Sequence, residues 1–225
     1  MTAPRRPRWI AALDVFSLAL FAASAGFVLA SLGAVPPLAW WPLLVLAALA
    51  GVSAADLATG ATHWCFDRYF DEATPGLGAA FVQPFRAHHL DPAAIVRHGF
   101  LEVSGNSALA LSPLLWACLP FAPAFGSRLA STALLALTLA GIATAFLSNL
   151  AHRWAHAERA PRVVRWLQRR GFLLSPEGHA RHHHGAHDRA YCVATGWMNP
   201  LVDRLGVFAA LERALGARRP ERMPP

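Results

Sequence analysis

Four long apolar runs divide the chain, and polar stretches rich in histidine separate or follow them. The first runs from about Trp9 to Val35 with a single charge, Asp14, near its start. The second runs from Leu38 to about Thr62 and contains Asp56. The third, from Ser107 to about Phe125, is broken by Pro113, Pro120 and Pro123, and the fourth, from Leu129 to about Leu150, carries no charge. A helix that crosses the hydrocarbon core needs roughly 20 apolar residues, so the first, second and fourth runs are long enough. The third predicts a kinked span or a re-entrant segment, because a proline inside a membrane helix frees backbone groups that the protein must satisfy. The pattern therefore predicts an all-α integral membrane protein of about four transmembrane helices, built as one domain over residues 1–225. Beyond the fourth run, Leu201, Leu205, Phe208, Leu211 and Leu215 recur at helical spacing. They predict an amphipathic helix that lies on the membrane surface or packs on the catalytic part.

Composition strengthens this reading. Hydrophobic residues make up 55% of the chain and charged residues 15%, a balance too apolar for an ordinary soluble domain. Arg5, Arg6 and Arg8 precede the first run as they would in a signal peptide. That run exceeds the roughly 7–15 residues of a signal peptide's apolar region, so a retained anchor is expected. The net charge of +7 comes from arginine alone, and every arginine except Arg128 lies before the first run, between the second and third, or after the fourth. The positive-inside rule then places both termini, the 63–103 segment and all eleven histidines on the cytoplasmic side. An arginine-only, alanine-rich chain suits a GC-rich bacterial genome and hence a bacterial inner membrane. The basic balance is explained by topology and contact with anionic lipid, and nothing points to nucleic acid. Cys65, Cys118 and Cys192 form no CxxC pair, so neither a thiolate zinc site nor a disulfide framework is expected.

The histidines carry the candidate chemistry. His63 follows Asp56 and Gly60 and precedes Asp67 at spacings of 4, 3 and 4, which line one helix face. Asp56 lies inside the second run, where an acid is costly and functional by default; its expected role, shared with Asp67, is to orient an imidazole from behind so that the ring's other nitrogen faces a metal, and Asp67 is also a weaker candidate ligand. His152 and His156 stand at i, i+4, within reach of one metal. His179, His182 and His183 form a second helix-compatible group, with His187 beyond. His88 and His89 are adjacent and so point different ways on a helix, and His98 follows nine residues later. These ten imidazoles exceed the three or four protein ligands that one zinc or iron takes, so two metals are expected. No H-E-x-x-H motif is present, which argues against a membrane zinc hydrolase. A transporter would place its ligands near the bilayer midplane in broken helices, whereas these follow the apolar runs.

Several strings taken together resemble the plasmanylethanolamine desaturase family with its lipid desaturase domain. They are Ala55–Trp64 with Asp67, Phe85–Pro92 with its His88-His89 pair, Arg97-His98, His152–His156, His179-x-x-His182-His183 with His187, and Cys192–Asn199. They fall in order between Asp56 and Asn199, about two-thirds of the chain. Where many relatives have an Asn-Gly-Asp-Asn-like stretch, this chain has Ser104-Gly105-Asn106-Ser107, and His184 has no clear counterpart.

The resemblance implies two non-haem iron ions held by His63, His88, His89, His152, His156, His179, His182 and His183, with His98 and His187 completing or buttressing the set. It implies O2 as co-substrate and electrons from a separate donor, a cytochrome b5-like protein or a ferredoxin. It implies a phospholipid substrate whose 1-O-alkyl chain gains the vinyl ether of a plasmalogen. A plant chloroplast branch of the family desaturates an acyl chain of phosphatidylglycerol instead, so an acyl-lipid desaturase or hydroxylase is the alternative. The lipid chain is expected between the second and fourth spans, where Gly51, Ala54, Ala58 and Gly60 would allow close approach to backbone or simply pack helices. Arg86, Arg97 and Arg153 are either lipid-phosphate ligands or topology charges.

Overall fold

The computed structural model describes residues 7–216. Arg5 and Arg6, and the tail from Ala217 expected to fray, lie outside the described residues. Every regular element among the described residues is helical: α1 (Arg8–Ala30), α2 (Trp41–Trp64), α3 (Gln83–Leu90), α4 (Ala94–Arg97), α5 (Phe100–Cys118), α6 (Leu129–His156), α7 (Arg162–Arg169), α8 (Pro176–His183), α9 (Asn199–Arg204) and α10 (Val207–Leu215). Four helical stretches, Arg8–Ala30, Leu38–Tyr69, Phe100–Ala124 and Leu129–His156, are long and apolar enough to cross a membrane. The expectation of an all-α membrane protein with about four spans holds.

Several boundaries differ from the sequence reading: the first span ends at Ala30, short of Val35, and the second continues past Thr62 to Tyr69. The third span begins at Phe100, seven residues before the apolar run does, because Glu102, Ser104 and Asn106 continue the helix through polar positions. Pro113 sits inside α5 without ending it, and the 3-10 turn Leu119–Ala124 absorbs the later prolines. The fourth span likewise continues past Leu150 to His156. Hydrophobicity marks where a helix can be immersed in lipid, and hydrogen bonding decides where it stops.

The chain forms two compact units. The first comprises residues 1–55 and 98–150. Its core gathers Val28, Leu115, Cys118, Leu135 and Ile142, and Phe21 stacks on Phe146 at 4.5 Å. Hydroxyls of Ser17, Ser24, Ser112, Thr138 and Thr144 donate to carbonyls one turn back, which satisfies these polar groups inside apolar helices. Gly51 meets the Leu137 carbonyl so closely that a Cβ has no room, and Gly141 faces the Gly51 carbonyl. Gly51 thus serves close helix packing rather than a lipid chain.

The second unit comprises residues 56–97 and 151–225. Trp64, Tyr191, Cys192, Val202 and Phe208 form its main core, with Met198, Val207 and Leu211 packed against them. The single amphipathic helix expected over Leu201–Leu215 is instead two short helices, α9 and α10, broken at Gly206, whose φ is 62°; Leu201, Leu205 and Leu215 are exposed, and α10 packs inward through Phe208 and Leu211. Arg68 fixes it there: its Nε donates to Glu212 Oε1 at 2.6 Å in a largely buried pair.

Candidate metal centre

Four helices of the second unit supply the imidazoles: the last turn of α2, α3, the last turn of α6, and α8. The sequence arranges this locally. α2 ends in a π-turn over Cys65–Tyr69, which carries Asp67 back beside His63. α8 begins at the N-cap Ser175, whose Oγ accepts from the Gly178 N–H. That cap with Pro176 in the first turn sets the helix and puts His179 and His183 on one face and His182 on another.

Two donor sets result. His88, His152, His156, His179 and His183 form one, and His63, Asp67, His89 and His182 form the other; within each set the facing ligand atoms lie within 4.8 Å of one another. In the first, Nε2 of His88 is 3.0 Å from Nε2 of both His156 and His152, and Nε2 of His183 is 3.0 Å from Nε2 of His179. In the second, Asp67 Oδ2 stands 3.2 Å from His63 Nε2, 3.1 Å from His89 Nε2 and 3.3 Å from His182 Nε2. His89, His183 and His187 make a third grouping that joins the two.

The protonation pattern fits a cation. His63 Nδ1 lies 3.2 Å from the Tyr191 carbonyl and His182 Nδ1 lies 2.8 Å from the Arg189 carbonyl. Each Nδ1–H must donate there, so each Nε2 carries a lone pair. Those lone pairs face a carboxylate, and His63 Nε2, His182 Nε2, both Asp67 oxygens and both nitrogens of His89 are buried without a hydrogen-bond partner. Buried acceptors facing acceptors are costly unless a metal ion binds them all. Burial keeps His88, His182 and His183 neutral. It lowers His88 to about 3 and His183 to about 2, helped by the neighbouring imidazoles, and lowers His182 to about 4 despite the opposing pull of Asp67. Neutral imidazole is the form that ligates.

Asp56 does something other than the sequence reading assigned. Its Oδ1 accepts the backbone N–H groups of Ala194, Thr195 and Gly196 at 3.2, 2.9 and 3.1 Å, and its Oδ2 accepts that of Met198 at 3.1 Å. No imidazole is among these partners, so Asp56 anchors a backbone turn instead of orienting a ring. The carboxylate has four N–H groups to accept because Gly196, at a φ of 74°, folds the turn around it. Asp67, expected behind a ring with direct ligation as the weaker alternative, sits among the facing ligand atoms. His98, expected as a ligand, is half-exposed in the other unit, where its Nδ1 lies 2.6 Å from Glu102 Oε1; it joins no donor set among the described residues. Exposed His184 also stands outside the sets. Gly60 accommodates Cys192, since a Cβ there would lie 2.6 Å from Cys192 Sγ. Arg86, Arg97 and Arg153 are bonded to the Phe70 carbonyl, Asp91 and the Val96 carbonyl.

Several residues that shape the site carry no mark in the sequence. Tyr191 is fully buried, packs its ring on His182 and His63, and donates its hydroxyl to the His187 carbonyl at 2.8 Å. His187 and Ala190 hold positive φ, 51° and 55°, a costly conformation for residues other than glycine. The contacts from Tyr191, from Arg68 to the Ala186 carbonyl, and from Asp203 to the Ala190 N–H hold that loop in place. Asn199 clamps Cys192 by accepting from its N–H and donating to its carbonyl.

Comparison with known proteins agrees with this geometry. The lipid desaturase domain profile matches residues 52–221. The chain belongs to the lipid desaturase domain family. It is 33% identical to the plasmanylethanolamine desaturase of Myxococcus xanthus over 92% of this chain and 72% of that one. It is 35% identical to the mouse plasmanylethanolamine desaturase 1, covering 76% of this chain and 64% of that protein. The chloroplastic fatty acid desaturase 4 of Arabidopsis thaliana is 34% identical over 74% of this chain and 50% of its own length. The chain thus spans about half to three-quarters of these relatives. No solved structure matches.

Proposed function

We propose that this protein is an oxygen-dependent lipid desaturase that introduces the vinyl-ether double bond into the 1-O-alkyl chain of plasmanylethanolamine, giving a plasmalogen. The observation that carries the reading is the adjacent pair of donor sets, nine imidazoles including His187 and one carboxylate, in a chain of the lipid desaturase family. Two relatives bearing the plasmanylethanolamine desaturase name favour the ether lipid. The similarity to fatty acid desaturase 4 supports an acyl-lipid substrate as the second reading.

The residues fit two non-haem iron ions. His88, His152, His156, His179 and His183 would hold one; His63, His89, His182 and Asp67 the other, with His187 beside both. Bound iron would supply the oxidising power that an unactivated C–H bond demands, drawing on O2. Removing two hydrogens from the lipid while reducing O2 to two waters requires two further electrons, from a separate cytochrome b5-like protein or ferredoxin, and two protons from solvent. The chain's own part is to keep the imidazoles neutral, fix their tautomers through the Tyr191 and Arg189 carbonyls, and hold Asp67 as an anionic ligand. The distribution of arginines along the chain supports a topology with both termini cytoplasmic, in the inner membrane of a bacterium.

The test is expression in cells that contain alkyl-ether phospholipid but no plasmalogen, followed by lipid mass spectrometry with and without acid. Acid-labile vinyl ethers that require His152 establish the activity. A new acyl double bond without vinyl ether selects the second reading.

A further inference from the structure

α7 turns an unusual face outward. It buries Val164 and Gln168, and Gln168 Nε2 donates to the Leu174 carbonyl at 3.0 Å. The opposite side exposes Val163 (65%), Trp166 (46%) and, just past the helix, Phe172 (52%). Trp166 and Phe172 stack at 6.4 Å to extend one apolar ridge, and the Arg170 guanidinium lies 5.9 Å over the Trp166 ring. Exposed Arg162, Arg165 and Arg169 flank the ridge on its other side. From Glu158 to Phe172 the chain has five arginines and one acid.

A ridge of single large apolar side chains bordered by arginines is a poor fit to water and a good one to the headgroup layer of a bilayer. Tryptophan settles at that depth with its ring partly immersed, and guanidinium groups beside it meet lipid phosphate. The surplus of positive charge selects anionic lipid. An acidic protein would satisfy the arginines but leaves no reason for three apolar side chains to protrude between them.

We propose that α7 and Phe172 form an interfacial membrane contact, with Val163, Trp166 and Phe172 in the headgroup layer of anionic phospholipid and Arg162, Arg165, Arg169 and Arg170 on its phosphates. The contact is tied to the metal centre through short connections. The Leu174 carbonyl that Gln168 holds lies directly before the cap Ser175 of α8, which carries His179, His182 and His183. The Trp197 indole N–H donates to the Gly171 carbonyl, and the Leu174 N–H donates to the Ala194 carbonyl, inside the turn that Asp56 grips. α7 is thus joined by short connections to the helix that carries three of the candidate donors, which these hydrogen bonds hold independently of lipid.

The test uses the full chain in lipid nanodiscs, with a spin label at Val163→Cys in a Cys65→Ser background; Cys118 and Cys192 are buried. In discs containing phosphatidylglycerol, the label is expected to collide often with oxygen and rarely with a water-soluble nickel complex. In pure phosphatidylcholine discs the nickel collisions rise severalfold, and Arg165→Gln/Arg169→Gln removes the difference while metal content stays unchanged. A label equally open to nickel in both discs overturns the proposal. So does a label shielded from both reagents, the signature of a protein partner or second copy. Immersion that ignores lipid charge overturns the arginines' part.

Discussion

Asp67 Oδ2 lies 3.1 Å from His89 Nε2, with neither atom in a hydrogen bond. The same oxygen lies close to His63 and His182, so one carboxylate organises a whole donor set. Asp67→Asn keeps the shape and removes the charge. It is expected to lower iron content from two ions to about one per chain, read by elemental mass spectrometry, with loss of desaturation. Retention of two ions would make Asp67 a mere neighbour of the metal.

Asp56 is a test of the opposite kind. Asp56→Ala leaves four backbone N–H groups without their acceptor. Each buried, unsatisfied group costs roughly 1–3 kcal/mol, so thermal stability should fall by several degrees before any effect specific to metal binding appears. Asp56→Asn keeps an oxygen for the Oδ1 position and should lose less. If both variants melt like the parent but lose iron, Asp56 acts on the metal after all.

His98→Ala separates sequence proximity from ligation. His98 faces Glu102 and is half-exposed, so the variant is expected to keep both metal ions. Loss of one ion in an otherwise folded protein would restore His98 to the ligand set.

The metal-free protein should lose stability as pH falls. Burial lowers His182 from 6.5 to about 4 and His88 to about 3 in the folded state. Below pH 6.5 the unfolded chain therefore binds protons that the folded chain refuses, and unfolding becomes easier down to about pH 3. Melting of the apo protein in detergent from pH 8 to 4 checks this; the loaded protein should hold its stability further down, because metal competes with protons for the same nitrogens. A flat profile for the apo protein would mean the imidazoles are hydrated.

Gly60 approaches Cys192 at the base of this unit. Gly60→Ala should destabilise, since the added Cβ would sit 2.6 Å from Cys192 Sγ. Adding Cys192→Ala should recover part of the loss, measured as a double-mutant cycle. No recovery would place the strain in the backbone.

The sequence by itself determined the helical class, the four apolar spans and most residues of the candidate donor sets. Apolar length is a one-dimensional property, and the i, i+4 spacing of His152 and His156 is fixed by the helix that contains them. The tertiary structure decided which donors meet. Asp56 and Asp67 share one periodic face in the sequence, yet the π-turn at Cys65–Tyr69 turns Asp67 onto the imidazoles, while the turn around Gly196 brings backbone N–H groups to Asp56. His98 carries the same chemistry as His89, but a partner four residues away, Glu102, engages it first. Tyr191, Arg68 and Glu212 act through contacts across more than a hundred residues. Local periodicity cannot register such contacts, because the chain brings their members together only when the core of the second unit closes.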